Sequence, residues 1–190
     1  MPRAGLSNDA VIEEASSILD EHGFEGLTLA ALAENLGVRI PSLYKHVDGM
    51  PAIQRGIMIA AKTSLSNTLG HAAIGKSRDE AITALSIAYR NWALGHPGQY
   101  PMTVRAPIAG DEQDLVASTA LVTVVFTVLA GYELRGDDAV DATRFLRAAL
   151  HGFVALETGG AFELPVDLEH SFQRLVESVV TALATWSRFE

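Results

Sequence analysis

Apolar side chains recur at α-helical spacing along most of this chain, and this periodicity constrains the fold more than any other feature. In the first helical segment Val11, Ile12, Ala15, Ile18 and Leu19 share one face of a helix. No segment alternates apolar and polar residues as a half-buried strand does. The pattern predicts an all-α protein of eight or nine helices with no sheet.

Capping residues and glycines mark where these helices begin and end. Ser7 or Asn8 can cap a first helix that Gly23 closes, and Thr28 can cap a second helix that Gly37 stops. The periodic segments that follow predict helices over about 40–47, 51–70, 77–94, 112–134, 137–158 and 167–188. Three prolines after the fifth of these eight helices predict a loop with at most one short helix.

Residues 115–132 form the most apolar segment, 18 residues without a charged side chain. That length meets the minimum for a membrane span, but a central buried helix of an all-α core meets it equally. Four hydroxyl residues interrupt the segment and three acidic residues precede it, so we interpret it as a core helix. The N-terminal residues lack the apolar core of a signal peptide. We therefore expect a cytoplasmic protein with no membrane partner.

The residues that most often carry catalysis or hold a metal are missing or unsuitably spaced. The chain has no cysteine, which excludes thiol nucleophiles and cysteine-ligated zinc. It contains no P-loop and no nucleophile-elbow motif. His151 and Glu157 do not have the spacing of two metal ligands on one helix. We expect no enzymatic activity, no catalytic residue, no metal and no cofactor.

Residues 27–47 carry the pattern with the clearest functional meaning. Two short predicted helices meet at Gly37, where a helix-turn-helix must bend sharply, and the small Ala33 permits close helix packing. This arrangement presents the third helix on the surface, where it can enter a DNA major groove about 12 Å wide. An ordinary helical hairpin inside an all-α domain explains the spacing equally well.

The charge of the chain argues against a nucleic-acid partner. The formal net charge is −9, and the first 50 residues hold three basic side chains against eight acidic ones. Binding to phosphates relies on cations, so strong non-specific DNA affinity is not expected. Two of the three basic residues, Arg39 and Lys45, nevertheless lie on or beside the third predicted helix.

Two motifs resemble the TetR family of transcriptional repressors. They read Thr-Leu-Ala-Ala-Leu-Ala-Glu-Asn-Leu-Gly-Val at 28–38 and Pro-Ser-Leu-Tyr-Lys-His-Val at 41–47. A weaker likeness to the WHG-type regulatory domain of that family covers residues 92–100, 150–160 and 171–175. The resemblance implies a three-helix helix-turn-helix DNA-binding domain over 1–50. It also implies a helical ligand-binding and dimerisation domain over 51–190, which begins with the fourth helix.

The resemblance further implies which residues bind DNA. Thr28 would cap the second helix and contact a phosphate. Residues 39–42 would face the edges of the bases, and residues 44–46 would contact the DNA backbone. The implied DNA-binding residues are Thr28, Arg39, Ile40, Pro41, Ser42, Tyr44, Lys45 and His46. Ile40 shares helical spacing with two apolar residues, so it could belong to the core instead.

Two positions depart from the family pattern. Arg39 stands where members usually have a small hydroxyl residue that caps the recognition helix. A cation there opposes the helix dipole unless an anion such as a phosphate lies nearby. Residues 49–51 read Gly-Met-Pro where many members have a lysine.

Aromatic and methionine side chains of the second domain predict an apolar ligand pocket. The predicted lining residues are Met58, Tyr89, Trp92, His96, Met102, Phe126 and Tyr132. Plain core packing is the alternative for each of them, and His96 could instead cap helix carbonyls.

The last two predicted helices are apolar around much of their circumference, which predicts that a second copy covers them. The predicted interface residues are Phe145, Phe153, Phe172, Val176, Val179 and Leu183. Two such helices from each subunit would form a four-helix interface with twofold symmetry, which matches a palindromic operator.

Together these features predict a homodimeric DNA-binding transcriptional regulator, a repressor that a small, largely apolar ligand releases from a palindromic operator. Its expected partners are double-stranded operator DNA, a small-molecule effector and a second copy of the chain. The alternative is a helical small-molecule-binding protein or enzyme whose helix-turn-helix is incidental.

Overall fold

The computed structural model describes residues 6–186, and its regular structure in that range is entirely helical. The helices are α1 (Asn8–Gly26), α2 (Leu29–Asn35), α3 (Ile40–Leu43), α4 (Gly49–Ala73), α5 (Arg78–Gly95), α6 (Tyr100–Thr103), α7 (Glu112–Leu129), α8 (Gly136–Thr158) and α9 (Leu168–Ala184). A short 3₁₀ turn at Ala130–Tyr132 extends α7. The predicted all-α class is confirmed.

Local capping signals account for the start of α1 but not for its end. The Ser7 hydroxyl accepts a hydrogen bond from the Ala10 amide at 3.1 Å, as expected of a cap. Gly23 adopts a left-handed φ of +67°, but it bends the helix, which ends only at Gly26. Residues 187–190 lie outside the described part, so the predicted end of the last helix at residue 188 is not tested. Residues 1–5, which include Arg3 and the start of the segment predicted not to be a signal peptide, also lie outside it.

The described chain divides into two compact units that do not follow the predicted boundary at residue 50. The first unit contains residues 6–64 and 96–117, and the second contains residues 65–95 and 118–186. α4 and α7 each contribute residues to both units. The first unit therefore includes a segment that the sequence assigned to the ligand-binding domain.

One apolar core holds the helices of the first unit together. α1 contributes Val11 and Leu19, α2 contributes Leu32, and α4 contributes Ile57, all completely buried. A Cβ atom at Gly56 would lie 2.4 Å from the Ile12 side chain, so this glycine permits the close approach of α4 to α1.

Segment 96–117 belongs to the first unit because Asp20, near the end of α1, holds its first turn. The Asp20 carboxylate accepts hydrogen bonds from the backbone amides of Gly98 and Gln99, each at 2.9 Å. The side-chain amide of Gln99 donates to the same carboxylate at 2.6 Å. A Cβ atom at Gly98 would lie only 2.0 Å from the Leu19 carbonyl oxygen, so the two backbones are in direct contact.

Two ion pairs fix the far end of the same segment to α4. The Arg55 guanidinium donates two hydrogen bonds to the Asp111 carboxylate, at 2.5 and 2.7 Å. Two turns further along α4, Lys62 pairs with Asp114 in the first turn of α7, and these side chains are 1% and 0% exposed. Breaking a buried pair leaves an uncompensated charge, so this contact strongly resists separation of α4 from the start of α7.

In the second unit α5 packs against α8 and α9. Arg90 on α5 donates to Glu157 on α8 at 2.7 and 2.8 Å and to Glu169 on α9 at 2.6 Å. Its guanidinium also lies 4.8 Å from the centroid of the Phe172 ring. The hydrogen bonds to Glu157 raise the pKa of Arg90 above its ordinary value. One charged side chain thus links three helices.

The residues predicted to form a dimer interface face the inside of the second unit. Four of them, on α9, are at most 5% exposed in the single chain: Phe172, Val176, Val179 and Leu183. The half-buried rings of Phe145 and Phe153, on α8, contact aromatic rings of the same chain. In the single chain α5 and α8 pack against α9 and bury its apolar face, and the dimer interface at these residues stays a prediction.

α7 differs from the other helices because its apolar side chains are largely exposed. Glu112–Tyr132 is the one described segment long and apolar enough to cross a membrane, with a mean hydropathy of 2.0. Only 22% of its apolar window is buried, so the prediction of a central buried helix is wrong. Length and composition alone are weak grounds for membrane insertion.

Candidate nucleic-acid interface

α2 begins at Thr28, as the sequence predicts. The Thr28 hydroxyl accepts a hydrogen bond from the Ala31 amide at 3.1 Å, which satisfies a donor at the start of the helix. Leu32 and Ala33 of the same helix are 0% and 4% exposed and face the core. The capping role of Thr28 is confirmed, while its contact with a phosphate stays a prediction.

Gly37 makes the turn between α2 and α3. Its φ of +65° lies in the left-handed region, which favours glycine, and no atom lies within 4 Å of a Cβ built there. The amides of Gly37 and Val38 donate to the carbonyls of Glu34 and Ala33 at 3.0 and 2.9 Å. These bonds end α2 and redirect the chain, so the glycine is required by backbone conformation and not by lack of space.

α3 is shorter than predicted, because regular helix ends at Leu43 and a turn follows over residues 44–46. The Val47 amide still donates to the Leu43 carbonyl at 3.0 Å. Leu43 and Val47 are 1% and 5% exposed and belong to the core of the first unit. The segment 39–47 is therefore anchored by two apolar side chains on one side.

The other side chains of segment 39–47 are accessible to solvent. Ile40 and Tyr44 are 39% and 55% exposed. The remaining predicted DNA contacts on this segment are exposed or half-buried: Arg39, Pro41, Ser42, Lys45 and His46. The exposure of Ile40 excludes the alternative that it belongs to the core.

Arg39 occupies the position before the first residue of α3. Its backbone is extended, with φ −90° and ψ 147°, and its side chain makes no capping hydrogen bond. Pro41, in the first turn, has no amide hydrogen to donate. The start of α3 therefore places a cation beside helix amides, an arrangement that an anion would stabilise.

Two asparagines fix this segment and α2 against α1, and the sequence analysis missed both. The side-chain amide of Asn8 donates to the His46 carbonyl, and that of Asn35 donates to the Glu14 carboxylate, each at 2.9 Å. The partners are 38 and 21 residues apart in sequence, so no local pattern indicates them. These bonds orient the helices that carry the candidate interface.

Charge in this region is mixed. Arg39 and Lys45 are exposed, but Glu34 at the end of α2 and Asp48 after the segment are exposed as well. Few cations are therefore available to phosphates, and neutral donors such as the Tyr44 hydroxyl would have to supply further contacts.

The seven residues predicted to line a pocket are divided between the two units. Met58 and Met102 lie in the apolar core of the first unit, so core packing, the alternative interpretation, accounts for them. The His96 ring, also in the first unit, lies 3.0 Å from the Asp20 carboxylate. The other four belong to the second unit: Tyr89, Trp92, Phe126 and Tyr132.

The four residues of the second unit differ in exposure and contacts. Tyr89 and Trp92 on α5 are 8% and 6% exposed, whereas Phe126 on α7 is 36% exposed. The buried Tyr132 hydroxyl donates to the Asp79 carboxylate at 2.7 Å, and burial together with this bond raises the pKa of Tyr132. A shallow open depression of about 490 Å³ includes none of these residues and is lined by Arg55 and residues 109–113.

Comparison with known proteins links the whole chain to transcriptional regulators. Residues 82–179 match the family described as "Tetracyclin repressor-like, C-terminal domain". An uncharacterized HTH-type transcriptional regulator of Mycobacterium tuberculosis is 36% identical over 174 residues, which cover 91% of this chain and 79% of the relative. A second uncharacterized HTH-type transcriptional regulator, from Bacillus subtilis, is 32% identical over 184 residues, which cover 96% of this chain and 95% of the relative.

Solved structures share the fold at lower sequence identity. BioQ bound to its double-stranded DNA operator has a TM-score of 0.68 at 22% identity, over 94% of this chain and 98% of that one. A TetR variant from Acinetobacter baumannii in complex with minocycline has a TM-score of 0.69 at 19% identity, over 93% and 96% of the two chains. At these identities the likeness establishes a shared fold.

Proposed function

This chain belongs to the TetR family of transcriptional regulators, and from this we propose that it is a homodimeric repressor that binds a palindromic operator through segment 39–47. One observation carries the proposal: the exposed side chains of residues 39–46 stand on a scaffold that Leu43 and Val47 anchor in the core. A short helix presented in this way fits a major groove about 12 Å wide.

The proposal gives each exposed side chain a role that its chemistry supports. Arg39 pairs with guanine O6 and N7, and Ile40 and Pro41 contact thymine methyl groups. Thr28 and residues 44–46 hold phosphates, which fixes the register of the protein without reading sequence.

The small number of cations makes the salt dependence of binding predictable. If Arg39 pairs with guanine and Lys45 is the cation that each described subunit brings to phosphate, a dimer neutralises about two phosphates. A plot of log K against log salt concentration then has a slope of about −2, since each neutralised phosphate contributes about −0.9.

The test is a gel shift with the DNA upstream of the gene, repeated at several salt concentrations. We expect Lys45→Ala to weaken binding to all sequences about equally and to reduce the slope by about one unit per subunit. Lys76→Ala is the matched control, because Lys76 is an exposed lysine in the turn between α4 and α5. If Lys45→Ala and Lys76→Ala have the same affinity for DNA and the same salt slope, the proposed interface is contradicted.

We further propose that a small, largely apolar molecule binds in the second unit and releases the protein from DNA. Tyr89 and Trp92, buried on α5, are the aromatic side chains that we propose line the site for such a molecule. An effector need prefer the released state by only about 100-fold, or 2.7 kcal/mol, to act as a useful switch.

The effector proposal is tested with Trp92→Phe, which keeps more of the packing than alanine would. A screen of apolar compounds first identifies one that releases the wild-type protein from its operator. The variant should keep its affinity for DNA and need a higher concentration of that compound. Release of both proteins at the same concentration would show that Trp92 does not contact the effector.

The relatives are named as transcriptional regulators, which supports a role without catalysis. We propose that the chain is not an enzyme and that it acts in the cytoplasm, where operator DNA is accessible. Its regulated genes would be identified by the DNA fragments that it retains.

A further inference from the structure

The turn that follows α3 is only partly held by its own contacts. Leu43 and Val47, which flank it, are buried in the core of the first unit. Between them the Lys45 amide lies 3.4 Å from its carbonyl acceptor, longer than an ordinary backbone hydrogen bond. Tyr44 is 55% exposed and Lys45 is also exposed, so packing does not fix either side chain. We call residues 44–46 the phosphate turn, because the proposed function assigns their side chains to phosphates.

A side chain from α1 holds the phosphate turn from outside. The side-chain amide of Asn8 donates a hydrogen bond to the His46 carbonyl at 2.9 Å, although 38 residues separate the two in sequence. The His46 amide donates to the Leu43 carbonyl, also at 2.9 Å. Both backbone polar groups of His46 are therefore paired, and the bond from Asn8 fixes the end of the turn that directly follows Lys45.

Asn8 occupies a well-defined position. It is the first residue of α1, and the Ser7 hydroxyl caps this helix by accepting a hydrogen bond from the Ala10 amide. Val11, in the first turn, is completely buried in the core of the first unit. An amide donor placed on such a helix end can fix the carbonyl that it binds, so the phosphate turn is held relative to the core.

The exposure of this bond indicates a role in binding more than in stability. Asn8 is exposed, and water competes with an exposed hydrogen bond, so the bond adds little to the free energy of folding. Binding differs, because a mobile turn has to be ordered on the DNA and this ordering weakens affinity. A turn that is already fixed in the free protein avoids that loss.

We propose that Asn8 is a positioning residue for DNA binding, which holds the phosphate turn so that Lys45 reaches a phosphate. The inference rests on the proposed function, in which Lys45 contacts the DNA backbone. Asn8 carries no charge, so losing a direct contact of Asn8 with DNA would not change the salt dependence of binding. Loss of a cation's contact on removal of a neutral side chain therefore distinguishes positioning from direct contact.

Asn35 is a matched control within the same unit. Its side chain is exposed, and its amide donates to the Glu14 carboxylate of α1 at 2.9 Å, the same distance as in the Asn8 bond. This bond joins α2 to α1 and involves no residue of the phosphate turn. Replacing Asn35 thus removes a similar exposed link to α1 while leaving the phosphate turn held.

The experiment is a gel shift of the full chain with the DNA upstream of the gene, repeated at several salt concentrations. It compares the wild-type protein with Asn8→Ala, Asn35→Ala and Lys45→Ala, and with the variant that combines Asn8→Ala and Lys45→Ala. Alanine is the best helix former and the Ser7 cap remains, so α1 should be retained in Asn8→Ala. Far-UV circular dichroism and unfolding in urea establish that each protein is folded.

We expect Asn8→Ala to raise the dissociation constant for this DNA by about 10-fold, because the phosphate turn must then be ordered on binding. Its salt slope should move from about −2 toward zero, as in Lys45→Ala, since a displaced lysine no longer neutralises its phosphate. The double variant should have the same slope as Lys45→Ala alone. Asn35→Ala should keep the affinity and the slope of the wild-type protein.

A folded Asn8→Ala protein with wild-type affinity would overturn the inference. Weaker binding with an unchanged slope would also overturn it and would indicate a direct contact of Asn8 with DNA. The same change of slope in Asn35→Ala would overturn it as well, because general loosening of the unit would then be responsible. If Lys45→Ala flattens the slope and Asn8→Ala does not, the DNA-binding surface stands and the role of Asn8 is refuted. A wild-type protein that does not bind the DNA would refute the proposed function, and this inference with it.

Discussion

Gly98 is the residue at which two distant backbone segments come closest. Since a Cβ atom there would lie 2.0 Å from the Leu19 carbonyl oxygen, Gly98→Ala must push segment 96–117 away from α1. We expect a loss of about 1–3 kcal/mol in the free energy of unfolding, measured in urea.

Gly95→Ala is the matched control for this change. Gly95 is the last residue of α5, and nothing lies within 4 Å of a Cβ built there. Alanine at such a position should leave stability unchanged or raise it by up to about 1 kcal/mol. If both variants unfold at the same urea concentration, the close contact at Gly98 does not exist in solution.

The Asp111 carboxyl group should contribute to the pH dependence of stability of the first unit. The hydrogen bonds from Arg55 lower the pKa of Asp111 from 3.8 to about 2. A lowered pKa in the folded state stabilises the protein above about pH 3.8, and this contribution is lost as the pH falls toward about 2.

We expect Arg55→Ala to raise the pKa of Asp111, measured by NMR titration of its carboxyl carbon. The value should stay below 3.8, because the Asp114 amide still donates to this carboxylate at 3.1 Å. An Asp111 pKa that is the same in the variant and the wild-type protein would show that the Arg55 contact is not formed.

Among the helices, α4 and α7 are joined by a contact whose loss should be costly. Lys62→Met would leave the Asp114 carboxylate buried without its cation, and we expect a loss of about 3–5 kcal/mol in the free energy of unfolding. Asp114→Asn in the same chain removes the stranded charge and keeps an acceptor for the Ile108 amide, which donates at 2.8 Å. The double variant should therefore recover much of the loss, and a double variant as unstable as Lys62→Met would contradict this account.

The elements that the sequence predicted well are those that depend on local signals. Thr28, Gly37 and the apolar positions around Leu43 specify the helix-turn-helix within twenty residues, and each has its predicted place. The docking of segment 96–117 could not be predicted, because Asp20 meets Gly98 across 78 residues of sequence.

The sequence also could not show which element packs against the apolar face of each helix. The apolar positions of α9 indicated burial, but not that α5 and α8 of the same chain bury them. α7 has a still more apolar sequence, and one of its faces remains exposed. Hydrophobic periodicity shows how much of a helix must be covered, whereas the covering partner is decided by tertiary packing.

For the whole molecule, the net charge of −9 disfavours binding to DNA, which is itself a polyanion. DNA binding by such a protein depends on where its few cations lie, and Arg39 and Lys45 are both exposed on one short segment. A dimer that reads a palindrome must hold two such segments about 34 Å apart, one turn of B-DNA. Specific contacts and dimerisation, and not overall attraction, should therefore dominate its affinity.

Photo-cross-linking tests most directly whether segment 39–47 lies against DNA. A benzophenone amino acid is placed at Tyr44, which is 55% exposed, or at Phe162, which is 37% exposed in the loop between α8 and α9. Each protein is irradiated with the DNA upstream of the gene. We predict cross-links from position 44 alone, mapping to the two halves of one palindrome. Cross-links from position 162 but not from position 44, or from neither position while the protein retains the DNA, would contradict the assignment of segment 39–47 as the DNA-binding surface.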